Sequence, residues 1–293
     1  MPHRLTLSIL LWSVLISSLV AQTQVSIVAT DAKTGTPLPY ALLRYADAPG
    51  GTYADVAGYL TAELPPKANA LVFSAIGYRS DTLTRSELTD TVRLDPVSYQ
   101  TDLVIVSSDR RKHETVRYGN TASPFPATHG FAFTPGTVVV RYLGGDWKRS
   151  GQLATVTFRL DIEGRGCAAK VRVRVFSAQQ IGQSGGPDQD VLRETVLLDV
   201  RPGKNKYTVD LSPYNIHYPP EGLCIGIEFL GKDVDCQRGK RWRGTVFVIG
   251  SSSDGPTRGW RRSNFREKAH WSALTMISDD RVVNPRFGAT VRY

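Results

Sequence analysis

The sequence predicts an all-β chain. Short runs alternate apolar and polar residues, turn residues separate them, and no stretch keeps a helical period. Two bodies are expected. A seven-stranded sandwich occupies residues 22–107 and a larger, jelly-roll-type sandwich occupies 114–293, with a polar linker at 108–113. The length of 293 residues suits two domains, and a 41% hydrophobic content is enough to fill two cores.

The first element is not part of either body. Arg4 supplies a basic start, Leu5 to Val20 is almost wholly apolar, and Leu19-Val20-Ala21 precedes Gln22. This is the pattern of a secretory signal peptide over residues 1–21, cleaved after Ala21. The apolar run is about 16 residues, shorter than the ~20 a spanning helix needs. No later stretch has the length and apolarity of a spanning helix. Export places the mature chain in the periplasm, at the outer membrane or on the cell surface.

Gln24 to Ala29 opens the first body as an alternating strand, and Asp31-Ala-Lys-Thr-Gly35 supplies turn residues after it. Tyr40 to Tyr45, Leu71 to Ala75, Tyr78 to Leu83, Thr91 to Leu94 and Leu103 to Val106 follow as strands. Gly50-Gly51 and Ala57-Gly58 punctuate a further pair. Asp31-Ala-Lys-Thr-Gly-Thr-Pro-Leu-Pro-Tyr40-Ala resembles the opening motif of the carboxypeptidase regulatory-like domain. Leu71-Val-Phe-Ser-Ala-Ile-Gly-Tyr78 resembles a second motif of that family, and Leu103-Val-Ile-Val-Ser107 its closing strand. The turn at Asp55-Val-Ala-Gly58-Tyr follows the family pattern only approximately. The resemblance implies a transthyretin-like seven-stranded sandwich, common in envelope proteins of Bacteroidota-type bacteria. It does not imply peptidase activity, which needs a separate zinc-binding catalytic domain, and no His-x-x-Glu pair occurs here.

The polar run Ser107 to His113 reads as the linker because the charge balance changes sign there. Residues 22–107 carry 6 basic and 9 acidic side chains, net −3, whereas 108–293 carry 29 and 18, net +11. Strands are expected in the second body at Thr137–Leu143, Gln152–Ile162, Ala169–Phe176, Glu194–Val200, Lys206–Leu211, Leu223–Leu230, Gly244–Gly250, Ala273–Ile277 and Phe287–Arg292. In Ala169–Phe176, Val171, Val173 and Val175 share one face and basic residues the other. Residues 207–216 resemble a segment of the uncharacterised partner domain of such regulatory-like proteins.

No catalytic set is visible. The mature chain has four histidines, at 113, 129, 217 and 270, and none lies at metal-ligand spacing from another His or Cys. No Gly-x-Ser-x-Gly elbow occurs, and the Gly182–Gly186 loop lacks a phosphate-cradling Lys. The acid pairs Asp188/Asp190, Asp233/Asp235 and Asp279/Asp280 lack the cadence of a calcium loop and read as solvated loop acids. No cofactor and no metal is expected. Of three cysteines, Cys224 sits in an apolar strand pattern as a small buried residue, and Cys167 with Cys236 forms the candidate disulfide of an oxidising compartment.

The feature with binding chemistry is basic and aromatic. Trp242 and Arg243, Trp260 with Arg261 and Arg262, and His270 with Trp271 lie in a segment, Arg238–Tyr293, holding 12 basic and 4 acidic residues. Aromatic plates stack on sugar rings and Arg forks pair with carboxylates or phosphates. Equally, these indoles can be core packing with Arg snorkelling around them. The expected function is a non-catalytic envelope binding or structural module. Its partners would be an anionic glycan, lipopolysaccharide or an envelope protein, not nucleic acid. Two alternatives stand beside it, a small outer-membrane β-barrel and a hydrolase with a non-contiguous site.

Overall fold

The structure, a computed structural model, describes residues 23–97, 114–119, 130–146, 148–162, 168–179, 181, 186–232, 246–253, 258–266, 270–275, 277–278 and 281–293. The chain is all-β, with 22 strands and one 3-10 turn, Ser212–Tyr214, among these residues. The signal segment, the strand expected at Leu103–Val106, the linker and both cysteines of the candidate disulfide lie outside the described residues. No helix among the described residues is long and apolar enough to cross a membrane.

Seven strands build the first sandwich: β1 (Thr23–Asp31), β2 (Leu42–Tyr45), β3 (Gly51–Tyr53), β4 (Tyr59–Leu64), β5 (Ala70–Ser74), β6 (Asp81–Thr84) and β7 (Thr91–Leu94). They form a three-stranded sheet, β4-β1-β7, and a four-stranded sheet, β3-β2-β5-β6. All ladders are antiparallel except β1–β7. In β4, Leu60, Ala62 and Leu64 point inward while Tyr59, Thr61 and Glu63 point out, the period of two that a half-buried strand requires. These side chains meet Ile27, Leu43, Leu71, Phe73 and Leu94 in one core.

The turn motifs have a local reason. The Asp31 carboxylate accepts the Lys33 amide at 2.7 Å and the Thr34 amide at 3.0 Å, and Gly35 follows at φ +72°. Tyr78 donates to the other Asp31 oxygen at 2.9 Å, so two segments 47 residues apart are tied together. Asp55 repeats the device on the Ala57 and Tyr59 amides, around Gly58 at φ +81°.

The second sandwich comprises β8 (Thr115–Gly119), β9 (Gly130–Phe133), β10 (Thr137–Leu143), β11 (Gly151–Ile162), β12 (Ala169–Ser177), β13 (Leu197–Val200), β14 (Lys206–Asp210), β15 (His217–Tyr218), β16 (Leu223–Lys232), β17 (Val246–Ser253), β18 (Gly259–Ser263), β19 (Ser272–Ala273), β20 (Ile277–Ser278), β21 (Arg281–Pro285) and β22 (Phe287–Arg292). One sheet runs β13-β12-β16-β10-β18-β19. The other runs β20-β21-β17-β11-β22-β8, with β14 and β15 also paired to β11 and β9 to β17. Five of these strands, β8, β9, β15, β18 and β21, were not expected from the sequence. The core between the sheets is hydrocarbon, from Val139, Val156, Phe158, Val171, Val173, Val175, Ile225, Ile227, Phe229 and Phe287 among others.

The six-stranded sheet is covered on both faces. Its inner face carries the three valines of β12. Its outer face carries Val138, Val140, Phe176, Cys224 and Trp260 in a second apolar cluster, beside a patch of charged residues that meets the first sandwich. This explains why β10 reads as a continuous apolar run, since a strand buried on both sides has no polar face to show.

Phe158 is fully buried and meets Phe287 edge-to-face at 4.9 Å between centroids. Phe158→Ala is expected to destabilise the second sandwich by about 3–5 kcal/mol in urea unfolding. An unchanged transition would mean that the two sheets are not packed through this residue.

Candidate functional site

The side chains at issue lie where the first sandwich meets the outer face of β12, β16, β10 and β18. The ladders align Arg172 with Glu228, Glu228 with Val138, and Val138 with Arg262, one row across four strands. Alternation then puts Arg172 and Arg174 on the face opposite the valines, as the sequence pattern requires. That face is not solvated. Arg172 is 4%, Arg174 7% and Glu228 1% exposed.

Glu228 is the centre of the cluster. Its Oε1 accepts the Tyr53 hydroxyl and the Asn264 amide, each at 2.7 Å. Its Oε2 accepts Arg172 at 3.3 Å and Arg174 at closer range. A carboxylate has about four lone-pair sites, and four donors meet them here. Burial alone would raise its pKa, but Arg174 and Arg172 outweigh burial and hold the carboxyl down at about 2. Arg174 also grips Asp190 through Nε, at 2.9 Å, and through a second nitrogen. Burial works against the Arg174 charge, yet Glu228 and Asp190 together raise its pKa above the ordinary arginine value.

The first sandwich closes over this cluster with specific groups. Tyr53, at the end of β3, reaches Glu228, and the Tyr40 carbonyl accepts Arg172 at 2.8 Å. Tyr40 adopts φ +55°, a left-handed conformation that costs a non-glycine residue about 1–2 kcal/mol. Phe265 wedges between the bodies. Its ring lies 5.4 Å from that of Tyr53, and its carbonyl accepts the Gly50 amide at 3.0 Å. A Cβ on Gly51 or Gly136 would come within 2.8 Å or 2.6 Å of the Phe265 ring, so these glycines make the wedge possible.

Beside the cluster lies a cavity of about 270 Å³, open to solvent, between residues 74–78 of the first sandwich and Arg174, Asp190, Arg262 and Asn264 of the second. Four arginines, Arg172, Arg174, Arg193 and Arg262, and two carboxylates, Glu228 and Asp190, line it, so cations outnumber anions. Arg262 is the one that stacks on Trp271. Its guanidinium stacks over Trp271 at 4.5 Å and lies 5.2 Å from Phe176, and its Nε is buried without a hydrogen-bond partner. Burial, reinforced by Arg174, lowers its pKa to about 10 against the pull of Glu228 and Asp190, so it stays charged at neutral pH. Asp190 Oδ1 is likewise buried and unpartnered, and burial raises that carboxyl against the pull of Arg174. The expectation that Asp190 is a solvated loop acid is therefore corrected, because the chain after Gly186 folds back along β12 and sets Asp190 opposite Phe176.

The predicted basic and aromatic residues are only partly brought together. Arg262 lines the cavity and stacks on Trp271 beside it. Trp260 points to the same side of β18 but is 6% exposed and packs in the apolar cluster with Val138 and Val140, so its indole is a packing group. Arg261 falls on the opposite face of β18 and is exposed, and His270 is exposed. Trp242 and Arg243 lie outside the described residues. Segment 259–263, which no expected strand covered, forms β18. Cys224 is a free, buried thiol, as its strand pattern indicated, and burial raises its pKa. No group of three His, Cys, Asp or Glu side chains suited to a metal ion occurs among the described residues.

Sequence reasoning missed Arg172, Arg174, Asp190, Glu228, Tyr53 and Asn264 as a site. One signal pointed to it. Glu228 is the single charged residue in the apolar run Leu223–Leu230, and a lone acid in a buried strand requires a cationic partner. No family model matches this chain, and no curated protein matches it.

Glu228→Gln leaves Arg172 without a carboxylate and Arg174 with Asp190 alone, with an expected loss of about 3–5 kcal/mol of stability. The Glu228 carboxyl is depressed from its ordinary 4.5 to about 2. Its contribution is therefore complete above about pH 4.5 and disappears as the pH falls through 2. Urea unfolding across that window is expected to show a steeper acid loss in the wild type than in Glu228→Gln. Parallel curves would remove Glu228 as the ionised centre.

Proposed function

We propose that this chain is an exported, non-catalytic module of the cell envelope that binds an anionic glycan in the cleft between its two sandwiches. The observation that carries this reading is Arg262, a charged guanidinium that lines a cavity and rests on an aromatic plate, with no hydrogen bond to its side chain among the described residues. A uronic acid sugar offers what the cavity asks for. Its carboxylate matches Arg262, and its hydroxyls are donors for Asp190 Oδ1. Trp271 continues the aromatic surface beside Arg262, ahead of β19, whereas Arg261 lies on the other face of β18. Lipopolysaccharide and acidic envelope proteins present the same anionic chemistry.

The groups in the cleft bind and orient rather than react. Glu228 has its lone pairs occupied and stays ionised, so it has no proton to give and no site to take one. The seven-strand count and the Asp31–Tyr78 hydrogen bond, which joins the two family-like motifs, support the regulatory-like resemblance. The dry, filled interior of the second sandwich speaks against a barrel with a polar lumen. A purely structural spacer is the second reading, favoured by the Glu228 network that ties the bodies together.

Titration calorimetry of the mature chain with oligogalacturonate tests the choice. Binding is expected, weakening with added salt, with at least a tenfold loss in Arg262→Gln and in Trp271→Ala, and none to a neutral glucan of equal length. Equal affinity for both sugars, or unchanged binding in both variants, would leave the spacer reading in possession.

A further inference from the structure

A second cationic pocket lies at one end of the larger sandwich, away from the cleft. It is lined by Tyr118 and Gly119 of β8, Arg141, Tyr142 and Leu143 of β10, Gly144 and Gly145 beyond it, and Arg258 ahead of β18, around a volume of about 480 Å³. Arg141 is 9% exposed. Its Nη1 donates to the Pro285 carbonyl at 2.7 Å, which fixes the fork, and its Nε is buried without a partner. Arg258 stands at the rim. Its backbone is pinned on both sides, the amide to Asn284 Oδ1 at 2.6 Å and the carbonyl to the Tyr142 amide at 2.8 Å.

The charge around Arg141 differs from that in the cleft. In the cleft every buried arginine has a carboxylate near it. Here the carboxylates felt at the pocket act elsewhere, Glu221 on the Tyr142 phenol and Asp146 on that of Tyr118, and Asp146 is paired with Arg149. Arg141 responds to burial first and then to the like charge of Arg258, and both lower its pKa, to about 10. It is still a cation at neutral pH. Among the described residues, then, a nine-tenths buried cation is accompanied by a second cation and by no acid of its own. Removing such a charge from water is costly unless a counter-charge enters with it.

We propose that this pocket binds the phosphate monoester of a phosphorylated sugar, held between Arg141 and Arg258. Arg141 comes from β10 and Arg258 immediately precedes β18, and both line the pocket. A tetrahedral dianion has oxygens enough for both, whereas a carboxylate fills one fork. Gly144 and Gly145 project no side chains into the space, and Tyr118 and Tyr142 line it beside them. This site is independent of the uronate reading of the cleft and shares none of its residues.

Calorimetry on the mature chain at fixed pH and ionic strength is the test, with glucose 6-phosphate, inorganic phosphate, glucose 6-sulfate and glucose as probes. Binding is expected for glucose 6-phosphate, at least tenfold weaker for inorganic phosphate, and undetectable for glucose. Sulfate binding as tight as phosphate binding would overturn the assignment to a phosphate ester. Arg258→Gln, at an exposed position, is expected to weaken glucose 6-phosphate at least tenfold and to fold normally, so the outcome does not hang on the buried Arg141→Gln variant. Arg262→Gln, which disables the cleft, is expected to leave this affinity unchanged. Absence of heat with both phosphates, an Arg258→Gln titration matching the wild type, or loss of binding in Arg262→Gln would each overturn the proposal.

Discussion

A carboxylate taken out of water must have its hydration replaced atom for atom, and Glu228 is where this chain meets that demand. Two donors come from the strand beside it, Arg172 and Arg174. One comes from the turn after β18, Asn264, and one from the first sandwich, Tyr53. The set is complete only when the two bodies are together. Pull the first sandwich away and Tyr53 leaves Oε1, while the Tyr40 carbonyl leaves Arg172. Buried ion networks are poor sources of net stability compared with hydrocarbon of the same volume, but an incomplete one is severely penalised. That asymmetry selects one docking of the sandwiches over others, a role in specificity that follows from the donor count.

The same constraint shapes the six-stranded sheet. One face faces the hydrocarbon core and the other is covered by the first sandwich and by the cluster around Phe176 and Trp260. Charged residues on the covered face must therefore be long enough to reach partners across the interface. Arginine meets this requirement, with a planar fork that holds two acceptors at once. Among the described residues four arginines, Arg141, Arg172, Arg174 and Arg286, are buried. The net charge of +9 is thus not simply a cationic surface, because part of the excess sits inside, where it acts at short range rather than as a field toward distant partners.

Much of the fold was legible because it is local. Alternation located most of the long strands, Asp31 with Gly35 marked a turn, and the apolar setting of Cys224 marked it as buried. What escaped is non-local. Tyr53 meets Glu228 across 175 residues, and nothing in the vicinity of either predicts the other. Strand β18 escaped for a different reason. Gly-Trp-Arg-Arg-Ser has a loop's composition, and it is a strand only because β10 offers it an edge from Thr137 to Arg141. Once it pairs, the alternation of that strand divides the predicted cluster, sending Arg261 to one face and Trp260 with Arg262 to the other. Asp190 was misread because its partner, Arg174, becomes a neighbour only when the chain doubles back along β12.

Two of the cleft's charged groups, Glu228 and Arg262, keep their charge across the neutral range. Glu228 stays ionised down to about pH 2 and Arg262 stays charged up to about pH 10. The lobes are held by bonds already made, and Arg262 is already stacked on Trp271 before any ligand arrives. If the cleft binds as proposed, little ordering entropy remains to be lost, and a modest set of contacts would give measurable affinity. The cleft would also discriminate by charge arrangement rather than by charge alone. Asp190 stands within the same cavity as Arg262, and a ligand that satisfied the guanidinium while pressing a second anionic group toward Asp190 would be repelled. On the proposed reading, the arrangement suits a single negative group flanked by hydroxyls, as in a uronic acid, better than a dense polyanion.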